Sequence, residues 1–361
     1  MKGCRAQEMR AALHTAFEAE IRDQMRALTA IVNKAPDART FLDDVVAGLS
    51  QTPKRLPSKY FYDERGSRLF DEICTLEEYY LTRTELTIMQ QFAEEIAEAL
   101  GQGNMLVEYG SGSSLKTRIL LDRLQCTVAY VPVDISGEHL EQTAGRLAKA
   151  YPHIEILPVC ADFTTEFELP RSKCTPSQNL AYFPGSTIGN FKPKDARRLL
   201  QRIASVCGSG GGLLIGIDLQ KAIQTIEAAY NDRNGVTMAF NRNLLHRINR
   251  ELDADFRVDA FEHRAIYNEE LGRVETYLIS DRHQTVTVDG ATFRFEVGEA
   301  ICTEYSHKYT IDGFHAIAAT AGFSLERAWS DDQELFAVLH FRLPAIRLNT
   351  HKQIDGSTRE D

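Results

Sequence analysis

The stretch 105-MLVEYGSGSSLKTRILLD-122 passes from an apolar run through an acid and two glycines into a basic, leucine-rich segment with helical spacing. This order predicts a buried strand, a glycine turn and a helix. Glycine lets the backbone approach a ligand, and the free N–H groups at a helix start point to the same place. The P-loop lysine and the third glycine of a dinucleotide fingerprint are missing, so this motif alone also allows a purely structural turn.

The chain around this turn alternates strand, turn and helix from Met105 to about Asp218. Such alternation predicts a parallel, doubly wound α/β sheet, in which ligands lie beyond the carboxyl ends of the strands. The pattern is lost from about Leu219 to Lys308, where we expect an inserted lobe. The predicted strands are 105-MLVEY-109, 129-AYVPVD-134, 154-IEILPVC-160, 180-LAYFPG-185, 212-GLLIGID-218, 273-RVETYLIS-280, 285-TVTVDGATFRFEV-297 and 335-LFAVLHFRL-343. The predicted helices include 84–101, 138–150, 194–208, 236–252 and one from 312 that Gly322 closes.

Acids follow neighbouring strands of the predicted sheet. Glu108 and Asp134 end the first two strands, and Asp162 with Phe163 follows the third. An acid at the second strand end accepts from ribose hydroxyls, and an acid beside an aromatic ring suits the amine and face of adenine. Each acid alone is more often a solvated strand end. Together, and without a basic phosphate clamp, they favour a phosphate-free adenosine ligand, so we expect S-adenosylmethionine rather than NAD.

Composition narrows the class of protein. The 361 residues are 43% hydrophobic and 25% charged, which suits a globular chain of two lobes. A formal net charge of -10 gives no reason to expect a nucleic-acid partner. Seven singly scattered cysteines suit a reducing cytoplasm, and no apolar run predicts a signal peptide or a membrane span. The ten histidines show no metal-ligand spacing, so we expect no metal.

Residues 9–28 place apolar side chains three and four apart, which predicts an amphipathic helix. It packs on its own domain or serves as a dimerisation arm. We therefore expect a monomer or a weak homo-oligomer.

Several longer strings resemble the histidine-specific S-adenosylmethionine-dependent methyltransferases, enzymes that trimethylate the α-amine of L-histidine on the route to ergothioneine. The strings are 60-YFYDERGSRLFDEICTLEEYYLTRTE-85, 107-VEYGSGSSLKTRILLD-122, 183-FPGSTIGNF-191, 229-AYNDRNGVTMAFNRN-243 and 303-TEYSHK-308. The resemblance covers roughly residues 28–343. It implies a class I methyltransferase, Rossmann-like doubly wound sheet with an inserted α+β substrate-binding lobe. The implied division is a methyltransferase domain of 84–218 and 309–343, a substrate lobe of 28–83 and 219–308, an N-terminal extension of 1–27 and a tail of 344–361.

The resemblance also implies roles for single residues. The candidate cofactor-binding residues are Glu108, Gly110, Gly112, Lys116, Asp134, Asp162 and Phe163. Tyr62 matches a tyrosine close to the reacting amine and is the candidate catalytic residue. The candidate substrate-binding residues are Phe70, Tyr79, Asn190, Tyr230, Thr237, Thr276, Glu304 and Ser306. Among these, Asn190 and Tyr230 match groups that hold the substrate carboxylate, whereas Glu304 and Ser306 match the pair that hydrogen-bonds the imidazole nitrogens.

These roles make chemical sense for methyl transfer, an in-line displacement that depends chiefly on alignment. An ammonium has no lone pair, so the amine first loses a proton to water, to the Tyr62 hydroxyl or to a carboxylate. Neutral donors such as Asn190 hold a carboxylate without adding a cation beside the sulfonium. Taken without the matching strings, the tyrosines read as core aromatics, Asn190 as a turn residue and Glu304 as a surface acid.

Thr276 departs from the family pattern, because well-known members have a methionine at this place. A smaller, partly polar side chain there enlarges the pocket or hydrogen-bonds the substrate ring. The sequence therefore leaves two alternatives to L-histidine methylation: an N-methyltransferase for another aromatic amino acid or amine, such as tryptophan, and a catalytically silent methyltransferase-like module.

Overall fold

The computed structural model describes residues 32–34, 37–112, 115–124 and 126–345. The helices of this part are α1 (Ala38–Leu49), α2 (Glu64–Ile73), α3 (Tyr80–Gln91), α4 (Ala93–Leu100), α5 (Leu115–Leu121), α6 (Gly137–Ala150), α7 (Pro193–Cys207), α8 (Ile223–Tyr230), α9 (Val236–Glu251) and α10 (Ile311–Ala319). The strands are β1 (Val32–Lys34), β2 (Lys54–Arg55), β3 (Asn104–Tyr109), β4 (Ala129–Asp134), β5 (Glu155–Ile156), β6 (Val159–Ala161), β7 (Gln178–Phe183), β8 (Gly212–Asp218), β9 (Phe261–Asn268), β10 (Arg273–Ser280), β11 (Gln284–Val288), β12 (Ala291–Phe295), β13 (Ala300–His307), β14 (Ser324–Ser330) and β15 (Phe336–Arg342). Short 3-10 helices span Ser58–Phe61, Thr187–Asn190 and Val258–Ala260. The helix predicted over 9–28 lies outside the described residues.

The larger sheet has the strand order β1-β6-β4-β3-β7-β8-β15-β14, and β5 pairs with β4. The pairs from β1 to β8 are parallel, whereas β15 runs antiparallel to both β8 and β14. Chain order reverses between β3 and β7, so a crevice opens at the carboxyl ends of these strands. This is the doubly wound, mostly parallel α/β sheet that the sequence predicted.

Both faces of this sheet are buried. Along β3, Leu106 belongs to one hydrophobic core, and Met105 and Val107 belong to the other. Every residue of β3 is buried, as expected for a parallel strand with helices on both sides. Packing along the whole of β3 therefore fixes the position of its carboxyl end at the crevice.

A second sheet, β2-β13-β10-β9, is formed mostly from the segment between β8 and α10, and β11 pairs with β12 in a separate hairpin. Its strand β13 is tied to the larger sheet, because the Tyr309 N–H donates to the Asp218 carbonyl at 2.9 Å. Gly189 approaches β13 so closely that an added Cβ would stand 2.8 Å from the His307 carbonyl oxygen. These contacts bring the end of β13 to the crevice.

The structure corrects three predicted elements. The strand expected over 154–160 is divided into β5 and β6, because Pro158 between them has no N–H for the ladder. The helix expected over 84–101 begins earlier, at Tyr80, and is divided into α3 and α4 at Phe92, whose φ of -107° lies outside the helical region. The run expected over 285–297 forms two strands, β11 and β12, because Asp289 and Gly290 turn the chain with positive φ. The elements that were not predicted are the helices α1, α2 and α8 and the strands β1, β2, β9 and β13. Among the described helices, none is long and apolar enough to cross a membrane.

Candidate active site

A cavity of about 860 Å³ lies at the carboxyl ends of β3, β4 and β7. It brings together most of the residues that the sequence analysis selected: Tyr62, Phe70, Tyr79, Glu108, Gly110, Gly112, Lys116, Asp134, Asp162, Phe163 and Asn190. The structure does not place the remaining candidates on the cavity wall: Tyr230, Thr237, Thr276, Glu304 and Ser306. Hydrogen bonds and ring contacts connect several of these to the wall from behind.

The turn after β3 requires glycine at two positions. Gly110 and Gly112 have φ values of 75° and 45°, which residues with a Cβ rarely adopt. The Gly112 N–H donates to Asp134 Oδ2 at 3.2 Å, so the turn and the end of β4 stabilise each other. No described atom lies within 4 Å of a Cβ added to Gly112, which leaves the backbone open to a ligand.

Asp134, at the end of β4, holds this turn through its carboxylate. Its Oδ1 accepts from the Ser136 N–H at 2.9 Å. Burial raises the pKa of Asp134, and the backbone donors Ser136 and Gly112 oppose that effect. The remaining lone pairs of a carboxylate on the cavity wall suit two hydroxyl donors, such as a ribose diol.

Asp162 and Phe163 lie at the next strand end, and both line the cavity. Asp162 Oδ1 accepts from the Thr164 N–H at 2.9 Å, and its Oδ2 lies 3.2 Å from Lys59 Nζ. Lys59 also lies 3.0 Å from Asp44 Oδ2, so the segment after α1 is tied to the proposed adenine end of the cavity. Lys59 was not predicted, because its partners Asp44 and Asp162 are distant from it in the chain.

Glu108 and Lys116 occupy the inner side of the glycine turn. Glu108 Oε2 accepts from Thr117 Oγ1 at 2.5 Å and from the Tyr130 hydroxyl. Burial raises the pKa of Glu108 to about 8, and these donors act in the opposite direction. The Lys116 ammonium pairs with the buried Glu85 carboxylate, which was not predicted. Glu85 also accepts from the Gly185 N–H at 2.9 Å, so Lys116 is fixed to the end of β7.

Three aromatic side chains, Tyr62, Phe70 and Tyr79, also line the cavity and form its aromatic wall. Ring centroids lie 5.7 Å apart for Tyr62 and Phe70, and 6.3 Å apart for Phe70 and Tyr79. Tyr230 continues the row, with its ring 6.3 Å from Tyr79. Asp63, directly after Tyr62, caps α2 by accepting from the Gly66 N–H at 2.7 Å, which fixes the backbone at Tyr62.

Asn190 connects the cavity wall to β13. Its Nδ2 donates to Glu304 Oε1 at 3.2 Å. Thr276 is the direct cross-strand partner of Glu304, so both side chains lie on one face of the smaller sheet. The Thr276 hydroxyl is buried and has no hydrogen-bond partner among the described residues. The left-handed backbone position near Asn190 is occupied by Ser186, with φ 58°, so Asn190 is not required by the turn itself.

Tyr230 and Ser306 belong to a buried polar cluster with Lys308 and Asp218. The Tyr230 and Ser306 hydroxyl oxygens lie 2.8 Å apart. Lys308 Nζ donates to each of them at 2.9 Å and lies 2.6 Å from Asp218 Oδ2. Lys308 and Asp218 were not predicted as site residues. The signal was present, because Glu304, Ser306 and Lys308 alternate and alternate residues of a strand share a face.

Thr237 lies at the start of α9, one turn before Phe240, whose ring centroid lies 5.7 Å from that of Tyr62. The carboxylate of Asp232 accepts from the Val236 and Thr237 N–H groups at 2.9 and 2.8 Å. Burial acts to raise the pKa of Asp232, but these donors hold it below its usual range. Asp232 therefore fixes the helix start that carries Thr237. The described residues contain no cluster of three side chains suited to a metal ion.

The strand order and this cavity define a class I methyltransferase that uses S-adenosylmethionine. The residues fit that cofactor: a glycine turn open to a ligand, the carboxylate of Asp134, which can accept from a diol, and the acid Asp162 beside the ring of Phe163. A family model described as "Histidine-specific methyltransferase, SAM-dependent" matches residues 41–343, and the chain belongs to this family.

Curated relatives share most of the length of the chain. A histidine N-alpha-methyltransferase of Mycobacterium tuberculosis is 43% identical over 295 residues, which are 80% of this chain and 90% of the relative. Ergothioneine biosynthesis protein 1 of Schizosaccharomyces pombe is 31% identical over 290 residues, which are 77% of this chain but 38% of that protein. An L-tryptophan methyltransferase of Psilocybe serbica is 28% identical over 332 residues, covering 82% of this chain and 91% of the relative.

Proposed function

We propose that this enzyme transfers methyl groups from S-adenosylmethionine to the α-amine of L-histidine, in three successive transfers that give the trimethylated betaine of ergothioneine biosynthesis. The observation that carries the proposal is the set of polar groups behind the aromatic wall. An acid, Glu304, and a hydroxyl, Ser306, lie two residues apart on β13, and both connect to residues suited to a carboxylate. Such a pair matches a ring with two nitrogens on an amino acid.

The site residues divide the work of alignment. The cofactor supplies a methyl group on a positively charged sulfur. Asn190 and Tyr230 hold the substrate carboxylate, while Glu304 and Ser306 hold the ring. The amine then points toward Tyr62 and the glycine turn after β3. Burial raises the pKa of Tyr62 well above its usual range, and nearby Glu304 adds to this effect. The Tyr62 hydroxyl therefore stays protonated and orients the amine, and the amine proton leaves to water or to a carboxylate.

Mass spectrometry of a reaction with L-histidine and S-adenosylmethionine tests the proposal. We expect mono-, di- and trimethylated histidine to appear in that order. Calorimetry with adenosylhomocysteine present, using histidine, tryptophan, tyrosine and histamine, tests the substrate class. Binding of none of these would support a catalytically silent module and reject the proposal.

A second candidate substrate, another aromatic amine such as tryptophan, is favoured by Thr276. Its side chain is small and buried, and it stands directly across from Glu304. An indole ring needs more room than imidazole and offers a single N–H. Glu304 argues against this candidate, because its carboxyl group would lie against an apolar indole edge without a hydrogen-bond partner, which costs several kcal/mol.

The remaining parts of the proposal concern the chain as a whole. We propose a methyltransferase domain of residues 84–218 and 309–343 and a substrate lobe of 28–83 and 219–308, noting that β1 pairs with the larger sheet. We also propose that the protein is cytoplasmic, that it is a monomer or a weak homo-oligomer, and that it has no nucleic-acid or membrane partner. The described cysteines are all free thiols, in keeping with a reducing compartment.

A further inference from the structure

Lys308 lies directly behind two hydroxyls of the proposed substrate pocket, and its side chain has no exposed surface. An ammonium group has three donors and no acceptor. All three acceptors are in place: Asp218 Oδ2 at 2.6 Å, and the Tyr230 and Ser306 hydroxyl oxygens at 2.9 Å each. Both hydroxyls therefore accept from Lys308, which leaves each of them one remaining lone pair and its own proton.

The two hydroxyls also bond to each other, since their oxygens lie 2.8 Å apart. One of the two hydroxyl protons lies in that bond. The pair thus presents one outward donor and one outward acceptor to a ligand, and the direction of the bond between them decides which hydroxyl is which.

A substrate carboxylate only accepts hydrogen bonds, so the outward donor must be the group that holds it. With the carboxylate at Tyr230, Ser306 donates to Tyr230 and keeps a lone pair for a ring N–H. We propose that Lys308 is a positioning residue that bridges the two oxygens and keeps them in this hydrogen bond. The carboxylate at Tyr230 then sets the direction of the bond, so the pocket selects amino acids whose ring offers an N–H to Ser306. The inference rests on the proposed function.

The charge of the cluster supports the same role. Asp218 pairs with Lys308 through Oδ2 and with Lys221 through Oδ1, and the Lys221 distance is 2.5 Å. One carboxylate and two ammonium groups leave a net positive charge. This charge lies one hydroxyl behind the proposed carboxylate position, where it attracts the substrate without standing beside the sulfonium.

The variant Lys308→Met tests the inference by calorimetry of histidine binding with adenosylhomocysteine present. We expect the affinity for histidine to fall about 10- to 100-fold, the loss for hydrogen bonds to a charged group. KM for histidine should rise by the same factor, while kcat should stay within about threefold of the wild-type value. Adenosylhomocysteine should bind as before. Lys221→Met is the matched control, because it removes the other lysine on Asp218 without touching Tyr230 or Ser306. It lowers the charge of the cluster but removes no donor to either hydroxyl, so we expect a smaller loss of histidine affinity than in Lys308→Met, of about threefold.

The direction of the hydrogen bonds is tested with β-(thiazol-4-yl)alanine, whose ring has an acceptor nitrogen and no N–H. The wild-type protein should prefer histidine by about tenfold or more. Lys308→Met should lose most of this preference, because no shared donor then holds the Tyr230 and Ser306 oxygens together, and Ser306 can turn its own proton toward the ring. An unchanged preference in Lys308→Met overturns the inference.

A double-mutant cycle separates positioning from a merely structural role. If Lys308 acts through Tyr230, Lys308→Met and Tyr230→Phe are strongly non-additive in histidine affinity, whereas additive losses overturn the inference. If Lys308→Met does not fold, Asp218→Asn with Lys308→Met replaces it and leaves the net charge unchanged. If the wild-type protein binds no histidine, the proposed function itself is wrong. If the wild-type protein binds histidine and Lys308→Met binds it equally well, only this inference is wrong.

Discussion

Glu304 illustrates how burial sets the chemistry of a single residue. Burial raises the pKa of Glu304 to about 7, and the charge of Lys308 acts in the opposite direction. Its carboxyl group therefore exchanges a proton close to neutral pH. A neutral imidazole that gives its N–H to Ser306 presents an acceptor nitrogen to Glu304, which requires the protonated acid. Glutamine at this position imitates that acid with its amide N–H.

Replacing Glu304 tests whether it recognises the ring. We expect Glu304→Ala to lower kcat/KM for histidine by about 100-fold or more, because a ring nitrogen is left unpaired in a buried site. Glu304→Gln should retain most of the activity that alanine loses. Tryptophan turnover, where measurable, should fall less. Equal losses for both amino acids in Glu304→Ala mean that Glu304 does not recognise the imidazole.

Replacing Asp134 distinguishes its role in cofactor binding from its effect on the stability of the fold. Because burial raises its pKa in the folded state, the ionised carboxylate is not a net stabiliser near pH 7, and its contribution grows less favourable as pH rises above the unfolded value. We expect Asp134→Asn to keep the thermal midpoint within about 2 °C while weakening adenosylhomocysteine binding by about 10- to 100-fold. Thermal unfolding and calorimetry measure the two effects. Unchanged adenosylhomocysteine affinity contradicts the ribose role.

Element patterns account for how much of this site was predictable. Strand alternation and strand-end acids located β3, β4 and the crevice, because a parallel sheet brings its carboxyl ends to one edge. The pairs Lys116–Glu85 and Lys308–Asp218 were not predictable in this way. Each joins two elements far apart in the chain, so no local period records it. The Phe92 break likewise carries no glycine or proline signal.

The close approach of the turn Thr187–Asn190 to β13 positions Asn190 against Glu304. An alanine at Gly189 would place its Cβ 2.8 Å from the His307 carbonyl oxygen, a backbone atom that cannot move alone. We expect Gly189→Ala to raise KM for histidine about tenfold with little change in adenosylhomocysteine affinity. Gly145→Ala in α6 is the control: its Cβ meets nothing within 4 Å, and it should be neutral or stabilising by up to about 1 kcal/mol. A normal KM in Gly189→Ala shows that the turn tolerates displacement.

At the scale of the whole molecule, the two sheets meet where β8 and β13 end. Asp218, which ends β8, carries both the carbonyl that accepts from Tyr309 and the carboxylate that pairs with Lys308. Tyr80 at the start of α3 donates to the same carboxylate at 2.9 Å. One fully buried acid therefore joins the larger sheet, the smaller sheet and α3, a helix that lines the cavity.

Removing that acid leaves two buried ammonium groups without their shared partner. We expect Asp218→Ala to lower the free energy of unfolding by about 3–5 kcal/mol, the loss typical of a broken buried ion pair. Asp43→Asn, which breaks the exposed pair with Arg39 on α1, should change it by less than about 1 kcal/mol. Urea unfolding of the three proteins measures both differences. If Asp218→Ala loses no more stability than Asp43→Asn, packing alone holds the sheets together, and the cluster serves the substrate rather than the fold.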